Sequence, residues 1–237
     1  MKNTLLYASL LLIATSTHAA STYTGGHADL GIAYEAGVGF DLHLHFHTGA
    51  IIDGVPLVAD DEFDPADIVT TTSTSSARPA GAGFDFIGTS AGSPIFTLPE
   101  IESLGIPFLG IGSEELDPLE WTSLSIRLTG VVASNGGHFS LWKDDGFGGA
   151  TVFMQSSNGF DIFTDTLALT AGDHEHFNWT FSTWGNYELT FEVSGIHSVD
   201  GLVTGQSSYF FQAIPEPSRA LLLMIGLTGT FFRRRRP

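Results

Sequence analysis

Residues 40–47 read Phe40-Asp41-Leu42-His43-Leu44-His45-Phe46-His47. Apolar and polar residues alternate without a break. In a β-strand successive side chains point to opposite faces. One face then carries Phe40, Leu42, Leu44 and Phe46, which suits a core. The other carries Asp41, His43, His45 and His47, a row of imidazoles with a carboxylate at one end. Such a row is a metal-ligand array. Strand geometry spaces the imidazoles about 6.7 Å apart, too far for the three to close around one ion unaided. The stretch therefore reads as part of a site, with the rest supplied from elsewhere.

Two other segments can supply it. Upstream, Ala28, Leu30, Ile32 and Tyr34 alternate with His27, Asp29 and Gly31. This predicts a strand with His27 and Asp29 on one face. The Glu35–Gly39 turn makes a hairpin with residues 40–47, bringing His27 or Asp29 beside the histidine row. About 130 residues downstream, Gly172-Asp173-His174-Glu175-His176-Phe177-Asn178-Trp179-Thr180-Phe181 repeats the logic. Read as one strand, it puts His174, His176, Asn178 and Thr180 on one face. A hairpin over Trp184–Asn186 is expected to follow. The expected ligands are His27, His43, His45, His174 and His176. His47 and His138 are placed in a second shell or second site. Asp29, Asp41, Asp173 and Asn178 are placed to orient imidazoles through their free ring nitrogens.

The remaining sequence favours an all-β fold. Hydrophobic residues make up 43% and charged residues 15%, enough apolar content for a core. Glycine is abundant, and long helical repeats of Ala, Leu, Glu and Lys are missing. Ser123–Thr129, His138–Trp142 and Tyr187–Val193 alternate as strands. Leu104–Gly112 is too rich in Gly and Pro for a helix. About ten short strands predict a single β-sandwich, jelly-roll or immunoglobulin-like, over residues 20–213.

Charge narrows the partners. The net charge is −17. Between Ser21 and Gln212 there are 3 basic and 25 acidic residues, so that span carries 3 − 25 = −22. Phosphate-mediated nucleic-acid binding is excluded on such a surface, and cations are attracted to it. With no cysteine, disulfides, thiolate metal sites and a cysteine nucleophile are excluded. The spacing of Asp60, Asp61, Glu62, Asp64 and Asp67 resembles Ca²⁺-binding loops, without the glycine and terminal glutamate of an EF-hand. A solvated acidic loop is the plainer expectation for 60–67, with Ca²⁺ the alternative.

The two ends read as addresses. Lys2, the apolar run Leu5–Ala14 and Thr17-His18-Ala19 make a secretory signal peptide over 1–19. Residues 214–237 contain Pro215-Glu216-Pro217, an apolar run Ala220–Phe232, and Arg233, Arg234, Arg235 and Arg236. That run is only about 20 Å long as a helix, so the expected membrane association is a transient anchor with its arginines on the cytoplasmic side. This order closely resembles the PEP-CTERM sorting signal. The resemblance implies export through the Sec machinery, processing by an exosortase, and delivery to the envelope or extracellular matrix of a Gram-negative-type bacterium that makes extracellular polysaccharide.

Gly26–Tyr34 and His174–Tyr187, with Gly83–Gly88 and Ser93–Pro99 between them, are similar to the signature blocks of choice-of-anchor M domains. Those domains occur in surface-anchored proteins and in PEP-CTERM proteins repressed by the zinc-uptake regulator. The resemblance implies an exported β-domain made when zinc is scarce. The expected ion is Zn²⁺, and the expected function is zinc capture or buffering at the envelope. The alternatives are a structural or adhesive matrix domain with a fold-stabilising metal, and a zinc-dependent hydrolase. No separate nucleophile or acid–base pair supports the hydrolase, so no catalytic residue is assigned.

Overall fold

The structure is a computed structural model and describes residues 20–215. The signal-peptide segment and the sorting residues after Pro215, including Glu216, Pro217 and Arg233–Arg236, lie outside the described residues. Among the described residues, no helix is long and apolar enough to cross a membrane.

The chain forms strands β1 (Ser21–Glu35), β2 (Gly39–Phe46), β3 (Ile51–Ile52), β4 (Val55–Pro56), β5 (Asp61–Phe63), β6 (Ile68–Thr72) and β7 (Ser75–Ala77). It continues with β8 (Pro94–Leu98), β9 (Pro107–Gly112), β10 (Trp121–Ala133), β11 (Phe139–Asp144) and β12 (Ala150–Gln155). The last are β13 (Thr166–Leu169), β14 (His174–His176), β15 (Asn178–Phe181), β16 (Gly185–His197) and β17 (Gly201–Ala213). Two sheets pack as a sandwich without closing into a barrel. The smaller has the order β12-β11-β15-β8-β7. The larger runs β13-β10-β16-β17-β6-β1-β2-β5, with β3 and β9 also on β1, β4 on β3, and β14 on β9. The strands are more numerous than the sequence suggests, and β1, β10, β16 and β17 are long, at 13 to 15 residues. The β1–β6, β1–β9 and β6–β17 pairs are parallel. The larger sheet is therefore mixed, unlike the antiparallel sheets of an immunoglobulin-like domain.

Alternation drives burial as expected. Tyr187, Leu189, Phe191 and Val193 on β16 are buried, as are Ala28, Leu30 and Ile32 on β1 and Leu42, Leu44 and Phe46 on β2. Each buried Leu, Ile, Val or Phe side chain among them contributes about 1.5–3 kcal/mol on burial. Trp179 lies fully buried between Phe139, Phe191 and Phe211. Its Nε1 donates to the Leu109 carbonyl at 3.0 Å. That bond ties β15 of the smaller sheet to β9 of the larger one, and β9 lies directly under the histidines.

β1 changes partners along its length. Ser21–Tyr23 pair with β6, and Gly26–Gly31 with β9. The switch falls at Gly26, in the left-handed region at φ 82°. A Cβ there would stand 2.8 Å from Ala50 Cα, so both conformation and space require glycine.

Two expectations are corrected. Residues 172–181 are not one strand: β14 pairs with β9 in the larger sheet, whereas β15 pairs with β8 and β11 in the smaller. Phe177 is fully buried at the crossing. Trp184–Asn186 likewise forms no hairpin, because the chain there passes from β15 in the smaller sheet to β16 in the larger.

Candidate metal centre

Five neighbouring strands build the histidine face, in the order β5-β2-β1-β9-β14. Registration sets its contents. Asp29 lies opposite His45, and Gly31 opposite His43. Across the other edge of β1, His27 pairs with Phe108, Asp29 with Gly110 and Gly31 with Gly112. Beyond β9, Gly112 pairs with His174 and Gly110 with His176. β1 and β14 are thus separated by a whole strand, yet the His27 ring lies 4.8 Å from the His176 ring and 5.9 Å from that of His174, centroid to centroid. The contact exists because the intervening positions on β9 are glycines. A Cβ on Gly110 would overlap Asp29 Oδ1 and stand 3.0 Å from His176 Cε1. One on Gly112 would stand 3.2 Å from Asp29 Cβ.

His27, His174 and His176 each bring a ligand atom to within 4.8 Å of the others. The parallel ring of Phe108, 3.6 Å away centre to centre, holds His176 flat. Burial pushes the His176 imidazole down to about 4, against the opposing pull of Asp29. It is therefore neutral at ordinary pH, as a metal ligand must be. Neither nitrogen of His176 has a hydrogen-bond partner, and the same is true of His27 Nε2 and Asp29 Oδ1.

Asp29 is the hub. It is 1% exposed. Its Oδ2 lies 3.2 Å from His27 Nε2 and 3.1 Å from His47 Nε2, and its Oδ1 3.9 Å from His176 Nε2. Burial acts to raise its pKa, but the surrounding imidazoles outweigh burial and hold the carboxyl below its usual range.

A second group lies on the other side of β1. His43, His45, Glu62 and Glu115 bring four ligand atoms within 4.8 Å of one another. Glu62 stands across from His45 on β5, with its Oε1 3.5 Å from His45 Nδ1. Glu115 Oε1 lies 3.1 Å from His43 Nε2. The five expected ligands therefore divide: His43 and His45 close with two carboxylates, not with His174 and His176. Compared with known proteins, the chain matches no family model, no curated protein and no solved structure. Its site is accordingly read from its own geometry.

The turn after β9 serves both groups. Ser113 is buried and its hydroxyl donates to the carbonyls of Thr170 and Asp173. Its N–H donates to the Asp173 carbonyl as well. This fixes the next two residues. Glu114 Oε1 reaches His174 Nδ1 at 2.7 Å, while Glu115 turns to His43.

The remaining candidates are distributed unevenly. His47 bridges the halves: its ring stacks on His27 at 4.0 Å, and its Nδ1 lies 3.8 Å from Asp60. It belongs to two small groups, His27-Asp29-His47 and His45-His47-Asp60. His138 joins no group among the described residues; its ring sits against Gly88 beside the smaller sheet. Asn178 is carried off on β15, where its side chain accepts from the Glu100 N–H. Asp173 accepts from the His174 N–H, not from a ring. Asp41 is exposed and makes no ion pair with a histidine. In the acidic stretch, Asp60 accepts from the Thr48 hydroxyl and N–H, which lower its pKa, and Asp64 accepts from the Ala66 N–H. Asp60 and Glu62 each join a histidine group, and among the described residues no group of three possible ligands forms within 60–67 alone. Glu114 and Glu115 are the functional candidates that sequence reasoning missed, and Glu62, expected in an acidic loop, stands with the histidines instead. In so acidic a chain a lone glutamate carries no signal, though the Gly110-x-Gly112 spacing just before Glu114 marks a backbone kept bare.

Proposed function

We propose that this is an exported zinc-binding protein that captures or buffers zinc at the cell envelope when the metal is scarce. One observation carries the reading: three imidazoles from distant parts of the chain, His27, His174 and His176, converge, and among the described residues neither nitrogen of His176 nor the buried Nε2 of His27 has a hydrogen-bond partner. Unpartnered buried polar atoms are costly and call for an explanation. A borderline cation preferring nitrogen ligands supplies one, and three histidines with an open or carboxylate-filled fourth position suit zinc. The orphaned nitrogens and the neutral state of His176 fit that ion. Asp29 would hold His27 and His47 in orientation, as carboxylates do for metal-bound imidazoles. Zinc bound there would be held by His27 on β1 and by His174 and His176 on β14. The terminal sequence signals support the envelope location, and the acidic surface supports cation attraction.

The test is the metal content of the protein purified from its native envelope. About one zinc or more per chain is expected. His174→Ala/His176→Ala should remove the ion at this group; unchanged zinc affinity in that double variant rules the group out.

A further inference from the structure

We infer that the chain holds a second, chemically different cation site, in which His43, His45, Glu62 and Glu115 bind a divalent transition-metal ion. It goes beyond the capture reading and uses none of the residues of the first group. His27, His174 and His176 on one side and these four on the other share no side chain, so both positions can be filled together. The two remaining groups each borrow a histidine, His27 or His45, and add His47. They are intermediate positions, not independent ones.

Three features mark a built site. His43 is 6% exposed, and neither of its ring nitrogens has a hydrogen bond. The space for its ring is opened by the neighbouring strand: a Cβ on Gly31 would overlap the imidazole itself. Glu115 is delivered to His43 by the turn that Ser113 anchors, and Glu62 is delivered to His45 by strand register. Two neutral imidazoles and two carboxylates make a mixed nitrogen and oxygen set with formal charge −2. That set balances a divalent cation and suits zinc, manganese, nickel or copper. The Glu62 and Glu115 side chains are 53% and 41% exposed, against 7% for His43. An ion therefore enters from solvent through the carboxylates and meets the buried imidazole last.

The experiment is a calorimetric and optical titration of the chelator-stripped full chain with Zn²⁺ and Co²⁺. Two equivalents are expected. Glu62→Ala/Glu115→Ala, at two solvent-facing positions, should lose one equivalent and keep the other. His174→Ala/His176→Ala should lose the other and keep the first. His43→Ala, checked for folding by circular dichroism, should match the glutamate pair. One equivalent in total, removed by His174→Ala/His176→Ala and untouched by Glu62→Ala/Glu115→Ala, overturns the second site and leaves the capture reading standing. One equivalent removed only by the glutamate pair supports the second site and overturns the first group. No binding of either ion overturns both.

Discussion

The two sides of β1 solve the same problem in opposite ways. Toward β9 and β14, imidazoles crowd around one buried carboxylate, and glycines clear the ground between strands. Toward β2 and β5, a buried imidazole meets exposed glutamates at the rim. The first arrangement is nearly all nitrogen, graded from the buried His176 ring stacked on Phe108 to the exposed His174. The second is wetter and carries more charge. On the proposed reading, nitrogen donors would dominate holding an ion on one side, and charge would favour its encounter on the other.

The sharpest way to break the contrast is to fill the bare backbone. Gly110→Ala drives a methyl into Asp29 and His176, and should abolish binding at the His27 group while the Glu62–Glu115 group still titrates. Gly31→Ala, aimed at the His43 ring, should do the reverse. Cobalt titration of both variants checks this; a matching loss at both groups in either variant would mean that the halves are not separable.

The next effect is on stability. An unfolded histidine takes a proton below about 6.5, whereas folded His176 does so only near 4. Between those values the unfolded chain holds more protons, so stability falls as pH drops from about 6.5 to 4 and is level above. The loss from this residue should approach roughly 3 kcal/mol. Urea unfolding of the metal-free chain across that window measures it, and His176→Gln should flatten the slope.

Smaller again is Asp29→Asn. It should weaken the His27 group about 10- to 100-fold, as loss of an orienting carboxylate does, and leave the glutamate-rich group nearly unchanged. Competition with a chromophoric chelator reads both affinities. The smallest change belongs to Glu175→Gln. Glu175 alternates with the histidines, faces away and pairs with Lys143. Its loss should cost less than about 1 kcal/mol and move neither affinity, as thermal melts and the same competition would show.

Much of this was written in local alternation. The period of two in residues 27–34 and 40–47 places every histidine there on the correct face, because a strand allows no other arrangement. The same rule misleads at 174–181. His174-Glu175-His176-Phe177-Asn178-Trp179 alternates without a fault, yet the chain leaves one sheet and joins the other at Phe177. Periodicity describes facing, not partnership. β9 was hidden for a different reason. Its function on the histidine face is to lack side chains at Gly110 and Gly112, and a Gly- and Pro-rich run reads only as non-helical. The pairing of Glu62 and Glu115 with the histidines was invisible because it lies in long-range register, which one sequence does not display.

β14 has a kinetic consequence. It is three residues long, sits at the edge, and pairs with β9 alone. Short edge segments open locally far more often than a core unfolds. An ion held by one histidine on β1 and two on β14 can therefore leave when that edge lifts, without disturbing the Trp179 core. On the proposed reading, its residence time would follow the opening of this short edge and not the unfolding of the core.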